Sequence, residues 1–152
     1  MITLITTAIF LGPQLAVASD SWPTHEQSVS TDLEPFLNAY FSSWSDNDMQ
    51  GYRNCFHTSA TVVHVARGQV NTTVGLDAFI TQQANHIASL DHPVSERMVS
   101  FTANEDIQGS TVMTRWVYEG KNETYTGVDH FTLIRDAVGA WKIVSLVWYR
   151  DI

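Results

Sequence analysis

The sequence predicts an α+β domain in which three N-terminal helices pack on one face of a mainly antiparallel sheet. Two observations predict this fold class. Apolar residues recur at helical spacing in the first half of the domain, whereas residues 94–149 form four β-rich segments separated by turn residues. Helices followed by an antiparallel meander are the order typical of α+β domains.

Composition limits the classes of protein to consider. The chain has 152 residues, of which 44% are hydrophobic, which is enough for one domain with a sizeable core. It carries 16 Asp and Glu against 8 Lys and Arg, a formal charge of -8, so binding to nucleic acid or to an anionic membrane is disfavoured. The single cysteine, Cys55, lies in an apolar pattern and is expected to be a buried thiol. No Cys/His cluster with metal-ligand spacing occurs, so we expect neither a metal nor a cofactor.

The N-terminal segment resembles a signal peptide. An apolar run ends near Leu11 and is followed by Ala16-Val17-Ala18, a small-x-small cleavage pattern. We therefore expect a signal peptide at residues 1–18, a linker at 19–30 and one domain at 31–152, with export to the periplasm or outside the cell. Because no Lys or Arg precedes Arg53, the usual basic start is missing, and a cytoplasmic protein is the alternative.

Three helices are predicted from apolar stripes and capping residues. The first begins after Thr31 or Asp32, with Glu34 able to complete a capping box. The second runs from Met49 to Phe56 after the Asp46–Asp48 cap, and the third spans residues 75–87. The inward stripe of the first helix contains Leu33, Phe36, Leu37, Tyr40, Phe41 and Trp44.

Five strands are predicted, at residues 60–66, 94–103, 108–119, 124–135 and 140–150, with a loop at residues 67–74. In the last strands both alternating sets of residues are apolar. Trp141, Ile143 and Val147 form one set, and the other contains Val144, Leu146 and Trp148. One face of the sheet should therefore pack on the helices and the other on a second subunit, which predicts a homodimer.

Five short motifs follow one another along the domain: residues 44–48 (WSDND), 56–64 (FHTSATVVH), 74–80 (VGLDAFI), 128–131 (VDHF) and 141–145 (WKIVS). In this order and spacing they resemble the nuclear transport factor 2-like superfamily, in particular its ketosteroid isomerase and SnoaL-like polyketide cyclase branches. The resemblance covers Asp32 to Tyr149 and implies a cone-shaped domain whose curved sheet and helices enclose an internal pocket.

The same resemblance implies catalytic residues. In ketosteroid isomerases a first-helix Tyr and a third-strand Asp hydrogen-bond the developing enolate oxygen, and these positions fall on Tyr40 and Asp129. The acid that shuttles the proton falls on His64, which is not an acid. Imidazole titrates near neutral pH, so His64 is the predicted general base. Scytalone dehydratase also uses histidines in this type of pocket, so a dehydratase or cyclase role is equally compatible.

The residues themselves support an enclosed site. Asp129 shares its strand phase with Phe131 and Leu133, and an apolar setting would raise its pKa and keep it a neutral hydrogen-bond donor. Without catalysis, Asp129 would simply bond a neighbouring Tyr or Trp. Eight further side chains are predicted to bind a flat apolar molecule, although each would also suit a core: Trp44, Phe79, Val112, Thr114, Trp116, Phe131, Leu146 and Trp148.

Two functions follow from this reasoning. The first is a cofactor-independent isomerase, dehydratase (a lyase) or cyclase that moves a proton next to a carbonyl or hydroxyl of a small apolar molecule. The second is a non-catalytic, exported, dimeric module for ligand binding or assembly. The fold hosts both kinds of protein, so the arrangement of the site must decide between them.

Overall fold

The computed structural model describes residues 30–151. The predicted signal peptide, the linker up to residue 29 and Ile152 lie outside the described residues. The predicted α+β order is confirmed. Its elements are α1 (Leu33–Ser45), α2 (Met49–Asn54), β1 (Phe56–Ala66), β2 (Gln69–Gly75), α3 (Leu76–Ala88), β3 (Ser95–Glu105), β4 (Gly109–Glu119), β5 (Thr124–Arg135) and β6 (Trp141–Arg150).

The six strands form one sheet in the order β2-β1-β6-β5-β4-β3. The last four strands form the predicted antiparallel meander. Strand β1 joins the meander by pairing parallel with β6, and this is the only parallel pairing in the described sheet. The first and last strands of the predicted fold therefore lie side by side, one strand in from the β2 edge of the sheet.

The loop predicted at residues 67–74 is wrong, because these residues mostly form strand β2. Arg67 (φ 52) and Gly68 (φ 73) both have left-handed backbone, which matches the two-residue hairpin turn that joins antiparallel strands. Almost every β2 side chain is exposed, so the strand has no apolar alternation to reveal it. Two bounds also move, because β1 begins at Phe56 and α2 ends at Asn54.

Helix α1 begins differently from the predicted capping box. Asp32 is the N-cap, but its side chain makes no capping bond. Its carboxylate instead accepts two hydrogen bonds from the Arg135 guanidinium, at 2.8 and 3.0 Å, and these hold the pKa of Asp32 well below its usual range. This pair ties the helix start to the end of β5. The predicted cap of α2 is confirmed, since the Asp48 carboxylate accepts from the Gly51 amide at 2.8 Å.

The helices cover one face of the sheet, and α1 packs chiefly on β3. One cross-strand row on this face positions the site. The register places one residue from each of five neighbouring strands side by side, in the order His64, Trp148, Asp129, Thr114 and Phe101. Within residues 30–151, no helix combines the length and the apolar character needed to cross a membrane.

Candidate functional site

A small cavity of about 50 Å³ lies between the helices and the inner face of the sheet. Seven of the predicted site residues line it. They are Tyr40, Trp44, Phe79, Trp116, Asp129, Leu146 and Trp148. Three further lining residues were not predicted, namely Tyr52, Gln83 and Glu96. The cavity is thus ringed by aromatic side chains and contains two carboxyl groups.

Asp129 lies in the middle of β5 and is only 4% exposed. Its Oδ1 atom accepts a hydrogen bond from Trp116 Nε1 at 2.8 Å. Burial raises the pKa of Asp129 to about 7, while hydrogen bonds from Trp116 and Tyr40 act in the opposite direction. A carboxyl with this pKa exists in both protonation states near neutral pH, as a group that exchanges protons requires.

Gly127 explains how the indole of Trp116 reaches Asp129. Gly127 on β5 lies directly opposite Trp116 on β4. A Cβ atom at position 127 would overlap the six-membered ring of Trp116 and also the Tyr149 carbonyl. Glycine therefore lets the ring lie across the β5 backbone, where its N–H points at the carboxyl two residues further along.

Tyr40 and Tyr52 form a buried pair of phenols. The Tyr52 hydroxyl donates to the Tyr40 oxygen at 2.9 Å, and burial raises the pKa of both hydroxyls well above the usual value. Both phenols therefore stay neutral donors. The ring of Phe131 meets Tyr40 edge-on, with centroids 5.2 Å apart, and fixes its position.

Glu96, on β3, faces the same cavity. Burial first, and then the nearby charge of Asp129, raise the pKa of Glu96 to about 8, and the Arg150 charge partly offsets this. The charge on one carboxyl disfavours ionisation of the other, so the two groups titrate as a coupled pair. Near neutral pH the two carboxyls hold about one proton between them, as expected of neighbouring acids in a low-dielectric site.

Gln83 and Glu96 carry signals that the sequence analysis did not use. Gln83 follows Phe79 by four residues and so falls on the inward stripe of α3, where its Oε1 accepts from Trp44 Nε1 at 2.8 Å. Glu96 shares its strand phase with Val94 and Met98, the same pattern that singled out Asp129. Gln83, Glu96 and Asp129 therefore share one feature in the sequence: each is a polar residue at a position where the apolar pattern predicts an inward-facing side chain.

His64 does not converge with Tyr40 and Asp129. It lies two strands, or about 10 Å, from Asp129 across the sheet, and Trp148 occupies the strand between them. The imidazole stacks on the Trp148 ring with centroids 4.0 Å apart, and its Nδ1 atom lies 3.1 Å from the Asn71 side chain. The expected geometry for a general base at position 64 is absent because the indole fills the intervening space.

Three of the predicted ligand-binding residues are also outside the cavity. Val112 and Phe131 are buried in the core, where Phe131 supports Tyr40. Thr114 is fully buried beside Asp129 on β4, and its hydroxyl has no hydrogen-bond partner among the described residues. All three point inward as predicted, but neighbouring side chains cover them.

Within residues 30–151, no three His, Cys, Asp or Glu side chains are grouped to hold a metal ion.

A helical layer on a mainly antiparallel sheet is the fold of nuclear transport factor 2-like proteins. Within this class the chain belongs to the family described as "Putative lumazine-binding", whose model matches residues 28–149. No curated protein sequence matches the chain significantly.

Solved structures share the fold at low sequence identity. The β subunit of benzoate 1,2-dioxygenase from Burkholderia mallei is 15% identical, with a TM-score of 0.66 over 82% of this chain and 93% of that chain. A protein from Novosphingobium aromaticivorans, described as NTF2-like with a cystatin-like fold, is 12% identical, with a TM-score of 0.66 over 78% and 79%. A "putative ketosteroid isomerase" from Shewanella frigidimarina is 13% identical, with a TM-score of 0.60 over 75% and 91%. At these identities the similarity concerns the fold alone.

Proposed function

We propose that the protein is a cofactor-independent acid/base enzyme of isomerase, dehydratase or cyclase type, in which Asp129 and Glu96 exchange protons with a small molecule. The observation that carries this proposal is the pair of carboxyls facing one aromatic-lined cavity, with pKa values raised to about 7 and about 8. Asp129 is buried without an ion-pair partner among the described residues, Glu96 is half-buried beside it, and perturbed pairs of this kind concentrate at catalytic sites.

The singly protonated pair supplies a base and an acid together. The Asp129 carboxylate takes a proton from the carbon next to a carbonyl, and Glu96 gives its proton to the carbonyl oxygen, so that an enol forms. Asp129 then returns its proton to a different carbon while the enol O–H gives its proton back to Glu96, which restores the carbonyl and completes an isomerisation. In a dehydration, Glu96 instead protonates the leaving hydroxyl, the C–O bond breaks and water departs. Transfer of the proton from Asp129 to Glu96 then restores the starting state of the pair.

The size of the cavity restricts the substrate. An apolar cavity of about 150 Å³ holds one benzene molecule, so a cavity of about 50 Å³ admits only the reacting end of a substrate. The rest of the molecule would lie toward the rim, unless Trp148 or Gln83 moves. Both of these side chains are half-buried, whereas the other aromatic residues of the lining are buried.

A second candidate is binding without turnover, and the family description favours it. Lumazine, after which the family is described, is a flat bicyclic ring, and the aromatic lining suits such a ring. A molecule of this size requires the side-chain movement just described. Saturable quenching of tryptophan fluorescence by lumazine, with no reaction of any carbonyl compound, would favour this candidate.

Deuterium exchange tests the catalytic proposal. A panel of small ketones and β-hydroxy ketones is incubated with the protein in D₂O, and NMR follows deuterium uptake next to the carbonyl. We expect the protein to accelerate uptake for some members, and Asp129→Asn and Glu96→Gln to lower that rate roughly 100-fold, the usual contribution of a positioned acid or base.

Matched variants complete the deuterium experiment. The exposed acids provide Asp46→Asn and Glu119→Gln, which should exchange at the wild-type rate. His64→Ala should also retain the rate, because Trp148 separates His64 from the cavity. Wild-type exchange by both Asp129→Asn and Glu96→Gln would remove the carboxyl pair from the mechanism, and a loss confined to His64→Ala would restore the histidine as the base.

We also propose that the protein is a homodimer through the sheet face that points away from the helices. A shallow concavity of about 420 Å³ lies on this face across β3 to β6. Its lining contains no Asp, Glu, Lys or Arg, although the chain carries a net charge of -8. A second copy of this acidic chain can approach such a face without charge repulsion, and depletion of charged residues is typical of interface cores.

A further inference from the structure

Two arginines differ from the other basic residues of the chain. Five of the eight Lys and Arg residues form ion pairs with Asp or Glu, namely Arg53, Arg97, Arg115, Lys121 and Arg135. Lys142 donates to the Asn54 carbonyl at 2.6 Å. Arg67 and Arg150 are the remaining two, and neither forms an ion pair within residues 30–151. In a chain with twice as many acids as bases, two such arginines call for an explanation.

Both arginines line the same concavity, of about 380 Å³, where the β1–β2 turn meets the end of β6. Val65, Gly68, Tyr149 and Asp151 complete its lining. The Asp151 carboxylate is already engaged, because its Oδ2 accepts from Thr126 at 2.6 Å and from Arg115 at 3.3 Å. The local charge of this concavity is therefore positive, in contrast to the acidic chain as a whole.

The Arg150 guanidinium is held in place by the neighbouring strand, whereas Arg67 is exposed in the β1–β2 turn. The Arg150 guanidinium lies 3.8 Å from the centroid of the Tyr125 ring and donates to the Tyr125 hydroxyl at 2.7 Å. Arg67 lies in the tight β1–β2 turn, with a left-handed φ of 52. Fixing a guanidinium in advance lowers the entropic cost of binding a ligand.

We infer that Arg67 and Arg150 form a binding site for the anionic group, carboxylate or phosphate, of a small molecule. Guanidinium groups bind both anions through paired hydrogen bonds. The concavity lies within the roughly 300–1,000 Å³ range of small-molecule sites, and the Tyr149 side chain provides one wall. This inference does not require turnover at the Asp129 and Glu96 pair.

An anion bound at this site should also change the pKa of nearby groups. The Arg150 charge lowers the pKa of His64, after the larger effect of burial, and it lowers the pKa of Glu96. A bound anion offsets the Arg150 charge, so the pKa of both groups should rise. His64 is thus a built-in reporter of occupancy that does not depend on any enzymatic assay.

The experiment follows the His64 ring by NMR across pH, with and without inorganic phosphate or acetate, while chloride keeps the ionic strength constant. We expect at least one anion to raise the pKa of His64 saturably. A response to phosphate alone assigns a phosphate group to the ligand, and a response to acetate alone assigns a carboxylate. Arg67→Gln and Arg150→Gln should each weaken binding roughly tenfold, the effect of losing a charge-assisted hydrogen bond.

Arg97→Gln is the matched control, because Arg97 pairs with Glu119 on β3 and does not line the concavity. It should bind the anion as the wild type does. Without any anion, Arg150→Gln alone should raise the pKa of His64, which checks that the variant is folded and the reporter works. The inference is overturned if neither anion moves His64 saturably, or if Arg67→Gln and Arg150→Gln bind as tightly as Arg97→Gln.

Discussion

At the scale of single residues, the properties of the site come from two carboxyls placed where water is scarce. Asp129 receives hydrogen bonds yet keeps a raised pKa, because burial outweighs them. Burial raises the pKa of Glu96 as well, and the nearby charge of Asp129 raises it again. The charge of either carboxyl thus opposes ionisation of the other, which favours a pair that holds one proton.

Replacing Asp129 should change how stability depends on pH. The folded pKa of Asp129 lies above the ordinary value of 3.8, at about 7, so the native state binds more protons than the unfolded state between these pH values. The free energy of unfolding contributed by Asp129 is therefore highest below about pH 4 and falls as the pH rises through 7. Asp129→Asn removes this fall, and urea unfolding from pH 4 to pH 9 measures it. Asp46→Asn should keep the wild-type slope; an unchanged slope in Asp129→Asn would contradict the raised pKa.

The inward placement of Tyr40 and Asp129 was predictable from the sequence, that of Glu96 was only weakly marked, and the position of His64 was not predictable. Asp129 stands out because its strand is otherwise apolar on that face. Glu96 shares its phase with Val94 and Met98, but its strand is mostly polar or exposed, so the signal is weaker than at Asp129. The separation of His64 from Asp129 depends on β6 lying between β1 and β5, a long-range pairing that local sequence does not encode.

At the scale of secondary-structure elements, the contact between β4 and β5 builds the acidic site. A glycine on one strand faces a tryptophan on the other, and the indole extends over the glycine to reach the carboxyl. The β2 strand illustrates the limit of pattern reading at this scale. Its Arg67-Gly68 turn has the right geometry, but the exposed strand after it shows no alternation of apolar residues.

Gly127→Ala should disturb this contact. The added methyl group meets both the Trp116 ring and the Tyr149 carbonyl, so the indole must move away from Asp129. We expect a loss of about 1–3 kcal/mol in the free energy of unfolding, typical of overpacking, and an altered tryptophan fluorescence spectrum. Gly75→Ala is the control, because a Cβ there meets nothing within 4 Å. If Gly127→Ala were as stable as Gly75→Ala with an unaltered spectrum, the proposed role of the glycine would be wrong.

At the scale of the whole molecule, the two faces of the sheet differ in the surface they present. The inner face carries the cavity, and we propose that the outer face, whose concavity is lined by no Asp, Glu, Lys or Arg, binds a second copy. Met113→Glu would place a negative charge on this outer face in both copies, so we expect dimer dissociation in sedimentation experiments. Ile107→Glu, in the turn before β4, should remain dimeric because Ile107 is 97% exposed and outside the concavity.

The wild-type dimer should bury about 1,200 Å² or more in total. A wild-type monomer at micromolar concentration would contradict the proposed dimer.

The protein purified from its native host tests the predicted export. Mass spectrometry of the secreted fraction should find a chain that begins near Ser19, after the Ala16-Val17-Ala18 pattern, whereas an intact Met1 on a cytosolic protein would refute it.

The central claim is that Asp129 and Glu96 share about one proton near neutral pH. Carbon-13 NMR of the side-chain carboxyls, followed from pH 3 to pH 10 and assigned with Asp129→Asn and Glu96→Gln, tests this claim most directly. We predict midpoints near 7 for Asp129 and near 8 for Glu96, far above those of the exposed acids. Midpoints close to 4 for both groups would contradict the sharing of one proton, because both carboxyls would then be ionised at neutral pH and neither could supply a proton.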